Sequence, residues 1–219
     1  MNLQHPMQHP EQRVGIFIDV QNMYYSGRNL FDAKVNFGNI VKRAVADRKL
    51  IRAIAYVVRT KTREEQPFID ALQKSGIETK EKELMEYFGG QKKADWDVGI
   101  AVDAIRMSDI LDVIVIVSGD GDYCPLLDYL KGHGRQVEIM AFRETTSSRL
   151  VESADIYTNL SDDQDEFLIL NRTAQSGRAP RKNGKREPLP HAEGEASNDE
   201  TETPTALPGS YGLGEKWAL

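Results

Sequence analysis

A single cysteine, Cys124, in 219 residues leaves no partner for an internal disulfide and no Cys-rich zinc site. That suits a reducing compartment. Basic charge is not in excess: 28 Lys and Arg face 34 Asp and Glu, for a net charge of -6. Such a balance argues against a protein that coats nucleic acid non-specifically, although it allows a local basic rim around an acidic site. No apolar run reaches membrane-spanning length, and the opening MNLQHPMQHPEQR has no signal-peptide core. The expectation is a cytoplasmic protein with no membrane partner. Histidine is scarce too. His5, His9 and His191 fall in polar terminal stretches and His133 lies between glycines, so none has the spacing of a metal ligand or catalytic base.

What the chain does have is one block of apolar periodicity, with 40% hydrophobic residues overall, enough for one sizeable core. Residues 1–12 read as a mobile arm, 13–165 as the domain and 166–219 as a mostly disordered tail. From Asn171 the tail is Gly, Pro, Ser and charge, first basic (Arg178, Arg181, Lys182, Lys185, Arg186) and then acidic through Glu202. Apolar residues cluster again at Tyr211, Leu213, Trp217 and Leu219, a candidate docking segment for the domain itself, a second copy or a protein partner. Within the domain, strand patterns over 14–20, 51–58, 77–85, 113–117 and 137–142 alternate with helical ones over 40–49, 64–75, 96–107, 124–131 and 147–153. Val98, Ala101, Val102 and Ile105 share one face of the third helix. This alternation predicts an α/β, three-layer Rossmann-like parallel sheet of about five strands, order 3-2-1-4-5, with helices on both faces.

The run VIVIV over 113–117 ends abruptly in Ser118-Gly119-Asp120-Gly121-Asp122. In that strand order it neighbours the first strand, which ends in Asp19 followed by Gln21-Asn22, so the acids meet at the topological switch point where such sheets bind ligands. Asp95 and Asp97 open the helix that leads into VIVIV. Clustered carboxylates supply the hard oxygen ligands of Mg2+ or Mn2+. Each acid has a structural alternative: Asp19 as a turn cap, Asp120 or Asp122 as a helix cap, Asp95 or Asp97 likewise, and Asp103 as a solvated helix face. Asn22 serves either its own turn or a metal-bound water. Cys124, in an apolar helix, reads as core.

Three ordered motifs, Ile18-Asp19-Val20-Gln21-Asn22, Lys93-Ala94-Asp95-Trp96-Asp97-Val98 with Ala101–Ala104, and Ser118–Tyr123 with Pro125-Leu126, resemble the NYN domain in its LabA-like (DUF88) branch. The resemblance implies a PIN-like nuclease fold over about residues 13–160. It also implies that Asp19, Asp97, Asp120 and Asp122 hold Mg2+ or Mn2+ for cleavage of RNA, with Asn22 in the first motif. Asp95 is a departure that leaves two candidates at the helix start, of which the family pattern favours Asp97. Ser118, Arg59, Lys61, Arg63, Lys93 and Arg143 are candidate substrate contacts along the same edge, and Tyr24, Tyr25, Tyr87, Phe88 and Tyr123 candidate surfaces for unpaired bases. The alternative is a catalytically weak RNA- or protein-binding regulator on the same fold. A small-molecule phosphatase is less well supported, because Asp19 lacks a second acid two residues on.

Overall fold

Val and Ile crowd the central segments because their stiff branched side chains pack well on a pleated surface. The computed structural model describes residues 8–60, 64–86, 92–93 and 95–170. In chain order the elements are β1 (Arg13–Asp19), α1 (Val20–Phe31), β2 (Lys34–Val35), α2 (Phe37–Val45), β3 (Lys49–Arg59), α3 (Gln66–Lys74), β4 (Glu78–Glu83), β5 (Met85–Glu86) and β6 (Lys92–Lys93). There follow α4 (Asp97–Met107), β7 (Val113–Val117), α5 (Cys124–Gly132), β8 (Gln136–Ala141), α6 (Ser148–Ser153), β9 (Ile156–Asn159), α7 (Gln164–Phe167) and β10 (Leu168–Ile169).

Six strands form one sheet in the order β4-β3-β1-β7-β8-β9, with every neighbouring pair parallel. The first five places match the order expected from the sequence. β9 is an addition: it has four residues, each half-buried, and so carries no apolar signature. Parallel neighbours require crossovers, and the helices cover both faces. Ile16, Ile18, Ala55 and Val57 face one core with Met23, Ile40, Ile69 and Leu72 from α1, α2 and α3. Phe17, Tyr56, Ile114 and Ile116 face the other, with Ile100, Leu127 and Leu150 from α4, α5 and α6. All five residues of β7 are buried, as a strand covered on both sides must be. Cys124 belongs to the second core.

Three differences from the sequence reading have physical causes. The periodicity shows no element over Val20–Phe31, yet α1 begins there directly after β1, with Asp19 as its own N-cap and no separate turn to mark the junction. The second helix runs over 37–45 rather than 40–49 because Asn36 caps it, accepting from the Asn39 N–H, and Lys49 already belongs to β3. The domain also runs past residue 165: Phe167 and Leu168 are buried, and β10 pairs antiparallel with β2. At the other end, the Gln12 carbonyl accepts from Lys49 N–H and its side chain donates to Gln136. The tail from 171 and residues 1–7 lie outside the described residues.

Arg48 and Glu138 form an ion pair with side-chain exposures of 1% and 6%, joined by two hydrogen bonds of 2.6 and 3.0 Å. Taking one partner away strands the other charge out of water. Glu138→Ala should therefore lower the unfolding free energy by about 3–5 kcal/mol, while the paired change Arg48→Met with Glu138→Leu should cost far less. Urea unfolding of the three proteins checks both outcomes.

Candidate metal centre

Neighbouring parallel strands β1 and β7 run in register from Val14↔Val113 to Ile18↔Val117. Asp19 and Ser118, the next residues, therefore emerge side by side at the carboxyl end of the sheet. Asp19 Oδ1 accepts from Asn22 N–H at 3.0 Å, capping α1. Its Oδ2 accepts from the Ser118 hydroxyl at 3.3 Å. Asn22 does not spend its side chain on its own turn. Its Oδ1 accepts from Gly119 N–H at 3.0 Å and so ties the β1–α1 junction to the loop after β7.

That loop is held against backbone. A Cβ on Gly119 would lie 2.6 Å from the Thr145 carbonyl, and one on Gly121 would lie 2.8 Å from Ser147 Oγ. The Gly119 carbonyl accepts from Ser147 N–H at 3.0 Å. Both glycines of Ser118–Asp122 are thus required by close approach. Asp120 N–H donates to Ser118 Oγ at 3.3 Å, and Asp120 Oδ1 accepts from Asp122 N–H at 3.0 Å, which caps the single turn Gly121–Tyr123. The turn carries Tyr123 inward, where it is 2% exposed and donates its hydroxyl to Asp97 Oδ1 at 3.1 Å. Tyr123 is consequently no platform for bases. Its role in holding Asp97 was invisible to the sequence pattern, whose one hint is an aromatic directly after Gly121-Asp122.

Asp97 opens α4, and Trp96 fixes that opening: its indole N–H donates to the Val57 carbonyl at 3.1 Å and its ring meets Tyr56 edge-on. The rotation of α4 buries Ile100, Ala104 and Met107. Val98, Val102 and Ile105, which share one face as the sequence indicates, point outward with 74%, 46% and 37% exposure. Asp103 is not a simple solvated position, since it accepts from the Tyr56 hydroxyl at 2.7 Å and pairs with Lys80.

Burial pushes the Asp19 carboxyl up to about 6, aided by the negative charges of Asp97 and Asp120 and opposed by the hydrogen bonds from Asn22 and Ser118. Asp97 is likewise raised, first by burial and then by Asp120, Asp95 and Asp122, with the Tyr123 hydroxyl acting the other way. The Tyr123 hydroxyl is itself raised by burial and by Asp19, Asp97 and Asp120. Three acids, Asp19, Asp97 and Asp120, thus act on one buried phenol. Asp120 is half-buried and Asp122 exposed. Among the described residues, no three His, Cys, Asp or Glu side chains are drawn close enough together to enclose a metal ion. The donor set is hard oxygen throughout. It fits Mg2+ or Mn2+, which bind through one or two carboxylates and keep several waters.

The candidate substrate contacts divide. Arg143 is exposed at the start of the loop after β8, and its backbone N–H donates to Asn159 Oδ1. The charge of Arg59 is matched by Glu81 at 2.6 Å. Lys93 lies on β6, while Lys61, Arg63, Tyr87 and Phe88 fall outside the described residues. Tyr24 and Tyr25 are half-buried on α1, ring edge to ring face. Asp95 is half-buried beside Asp97, its carbonyl accepting from Lys82 at 3.2 Å.

The parallel sheet, with Asp19 and the Ser118–Asp122 loop at its switch point, defines a three-layer α/β domain. Residues 13–161 match the NYN domain, and the chain belongs to that family. It is 25% identical over 159 residues to Low amplitude and bright protein LabA of Synechococcus elongatus, covering 68% of this chain and 84% of that one. The crystal structure of a protein of unknown function from Vibrio parahaemolyticus is similar with a TM-score of 0.67 and 28% identity, over 74% of this chain and all of that one. No helix among the described residues is long and apolar enough to cross a membrane.

The buried carboxylate makes stability pH-dependent. Between about pH 4 and 6 the native state holds the Asp19 proton more tightly than the unfolded chain does, so native protein binds more protons and its stability falls as pH rises. The loss amounts to about 3 kcal/mol in metal-free protein. Asparagine keeps the cap and cannot ionise. In EDTA, Asp19→Asn should gain on wild type from pH 4 to 7 in denaturant midpoint, and a difference that stays flat would contradict this assignment of Asp19.

Proposed function

We propose that this protein is a cytoplasmic, metal-dependent ribonuclease that hydrolyses phosphodiester bonds of single-stranded RNA. Asp19, Asp97, Asp120 and Asp122 are its acidic residues, and Mg2+ or Mn2+ its cofactor. The observation that carries the reading is Asp19: a carboxyl buried at the end of the central strand, raised to about 6, with Asp97 and Asp120 adding negative charge instead of relieving it. A fold that served stability alone would place a neutral residue there. When bound, the cation supplies an activated water and neutralises charge developing on the scissile phosphate.

The chain's own residues prepare that site. Asp19, Asp97 and Asp120 would hold the cation, and Asp122, exposed at the rim, would reach it from the solvent side. Asp97 takes precedence over Asp95, because the Tyr123 hydroxyl fixes its carboxylate. Asn22 and Ser118 keep the two loops at a constant separation through their bonds to Gly119 and Asp19. Arg143 offers an exposed cation for the phosphate backbone, with Lys61, Arg63 and Lys93 as further contacts and Arg59 engaged elsewhere. Tyr24 and Tyr25 provide the aromatic surface for unpaired bases.

One observation favours the regulator reading, in which the same fold binds RNA or protein and is catalytically weak: the described acids do not converge to ligation distance. The two readings separate experimentally. With Mn2+, wild-type protein should gain thermal stability and cut single-stranded RNA. Asp19→Asn and Asp120→Asn should lose both, by more than the roughly 10- to 100-fold that follows loss of a residue supporting a ligand. Cleavage that survives either substitution in a contaminant-free preparation would defeat the nuclease reading. Metal binding without turnover would favour the regulator.

Tyr123 is a positioning residue in this scheme, since it touches Asp97 and not the substrate. Tyr123→Phe removes one hydroxyl from a filled core position. It should weaken Mn2+ affinity by about 10- to 100-fold, while urea unfolding of the metal-free protein moves little. Titration with Mn2+ measures the first and the urea midpoint the second.

A further inference from the structure

The outward stripe of α4 is the feature that the acidic site does not use. Val98, Val102 and Ile105 follow at i, i+4 and i+7, the spacing of one continuous helix face, and Ile110, 51% exposed, extends the run just beyond the helix. Arg106 and Asp109, both exposed, lie beside it. Aliphatic side chains left in water at that spacing mark a surface that another segment covers.

We propose that the covering segment is this chain's own C-terminal stretch, Tyr211–Leu219, docked along the Val98–Ile110 face of α4. Beyond residue 170 large apolar residues are sparse, with Leu189 and Leu207 isolated, until Tyr211, Leu213, Trp217 and Leu219 cluster, and Tyr211 and Trp217 are the only Phe, Tyr or Trp residues there. With Glu215 between them, these positions alternate with Gly212, Gly214, Lys216 and Ala218. An extended peptide of this sequence turns its apolar side chains to one side. From Leu213 to Leu219 it spans about 20 Å, against about 18 Å for the helical rise from Val98 to Ile110. Glu215, on the same side as these apolar residues, is opposite in sign to the exposed Arg106.

Size favours the tethered segment over a second copy. Four aliphatic side chains fall short of the roughly 800 Å² per partner that a stable interface between separate chains buries. A tether removes most of that requirement. Residues 171–210 have the composition of a flexible linker, whose root-mean-square reach is about 35 Å, close to the width of a domain of this size. Such a linker presents its end at an effective concentration in the millimolar range. Because Val98 directly follows Asp97, the docked segment lies next to the acidic crevice, whatever reaction occurs there.

The test is backbone ¹⁵N relaxation on the full chain at low concentration. Amides of 211–219 should show order parameters near 0.8 in the wild type and below about 0.6 in Val102→Glu, whose exposed position leaves the core untouched. Trp217→Ala, which changes nothing in the domain, should free the same amides and shift those of Val98, Val102 and Ile105. Three results would overturn the proposal: a tail already below about 0.6 in the wild type, order that survives both substitutions, or order that disappears on dilution. The last would assign the stripe to a second copy.

Discussion

A carboxylate buried where the central strand ends sets the terms for everything around it. Removing Asp19 from water is unfavourable, and the two hydrogen bonds it accepts return only part of the loss. Asp97 and Asp120 add to the cost. The fold tolerates this because the strands beneath are covered on both faces by two cores, which stabilise β1 and β7 independently of what happens at their carboxyl ends. Stability is lost locally where Asp19 is buried near other acids, and a divalent cation is the chemical partner that would reverse the sign of that interaction.

Capping and ligation are often treated as rival roles for an aspartate, yet here they share one geometry. Asp19 caps α1 and Asp120 caps the following turn, each through its Oδ1 alone. A cap fixes the side-chain rotamer, so it also fixes where the second oxygen points. Asn22 then links the two capped junctions through Gly119. The loop can approach this closely only because neither Gly119 nor Gly121 has a Cβ. Local backbone satisfaction and the arrangement of the acids are therefore a single set of contacts.

The parts legible from sequence are those that depend on burial along a strand. VIVIV and VGIFID announce themselves because both faces are covered, and the order 3-2-1-4-5 follows from alternation with helices. What stayed hidden depends on contacts made across the chain. β9 is too exposed to carry a pattern, and α1 starts inside what reads as the end of a strand. Tyr123 looks like any aromatic beside a polar loop until the turn capped by Asp120 carries it under Asp97. The acids at 19, 97, 120 and 122 were visible as a list, but the buried phenol that Asp19, Asp97 and Asp120 act on was not.

The rotation of α4 shows how a site can override the amphipathic rule. At about 100° per residue, Ile100, Ala104 and Met107 lie about 20–80° to one side of Asp97, whereas Val98, Val102 and Ile105 lie about 80–140° to the other. Burying the longer aliphatic face would swing Asp97 away from Tyr123 and the ends of β1 and β7. Trp96, bonded to Val57, holds the helix against that swing, and Gly99 leaves room for its ring, since a Cβ there would lie 2.6 Å from it. The sequence retains apolar residues at the three outward positions all the same. Aligning Asp97 thus exposes an apolar face, and the acidic crevice and the outer surface of α4 are two consequences of one helix setting.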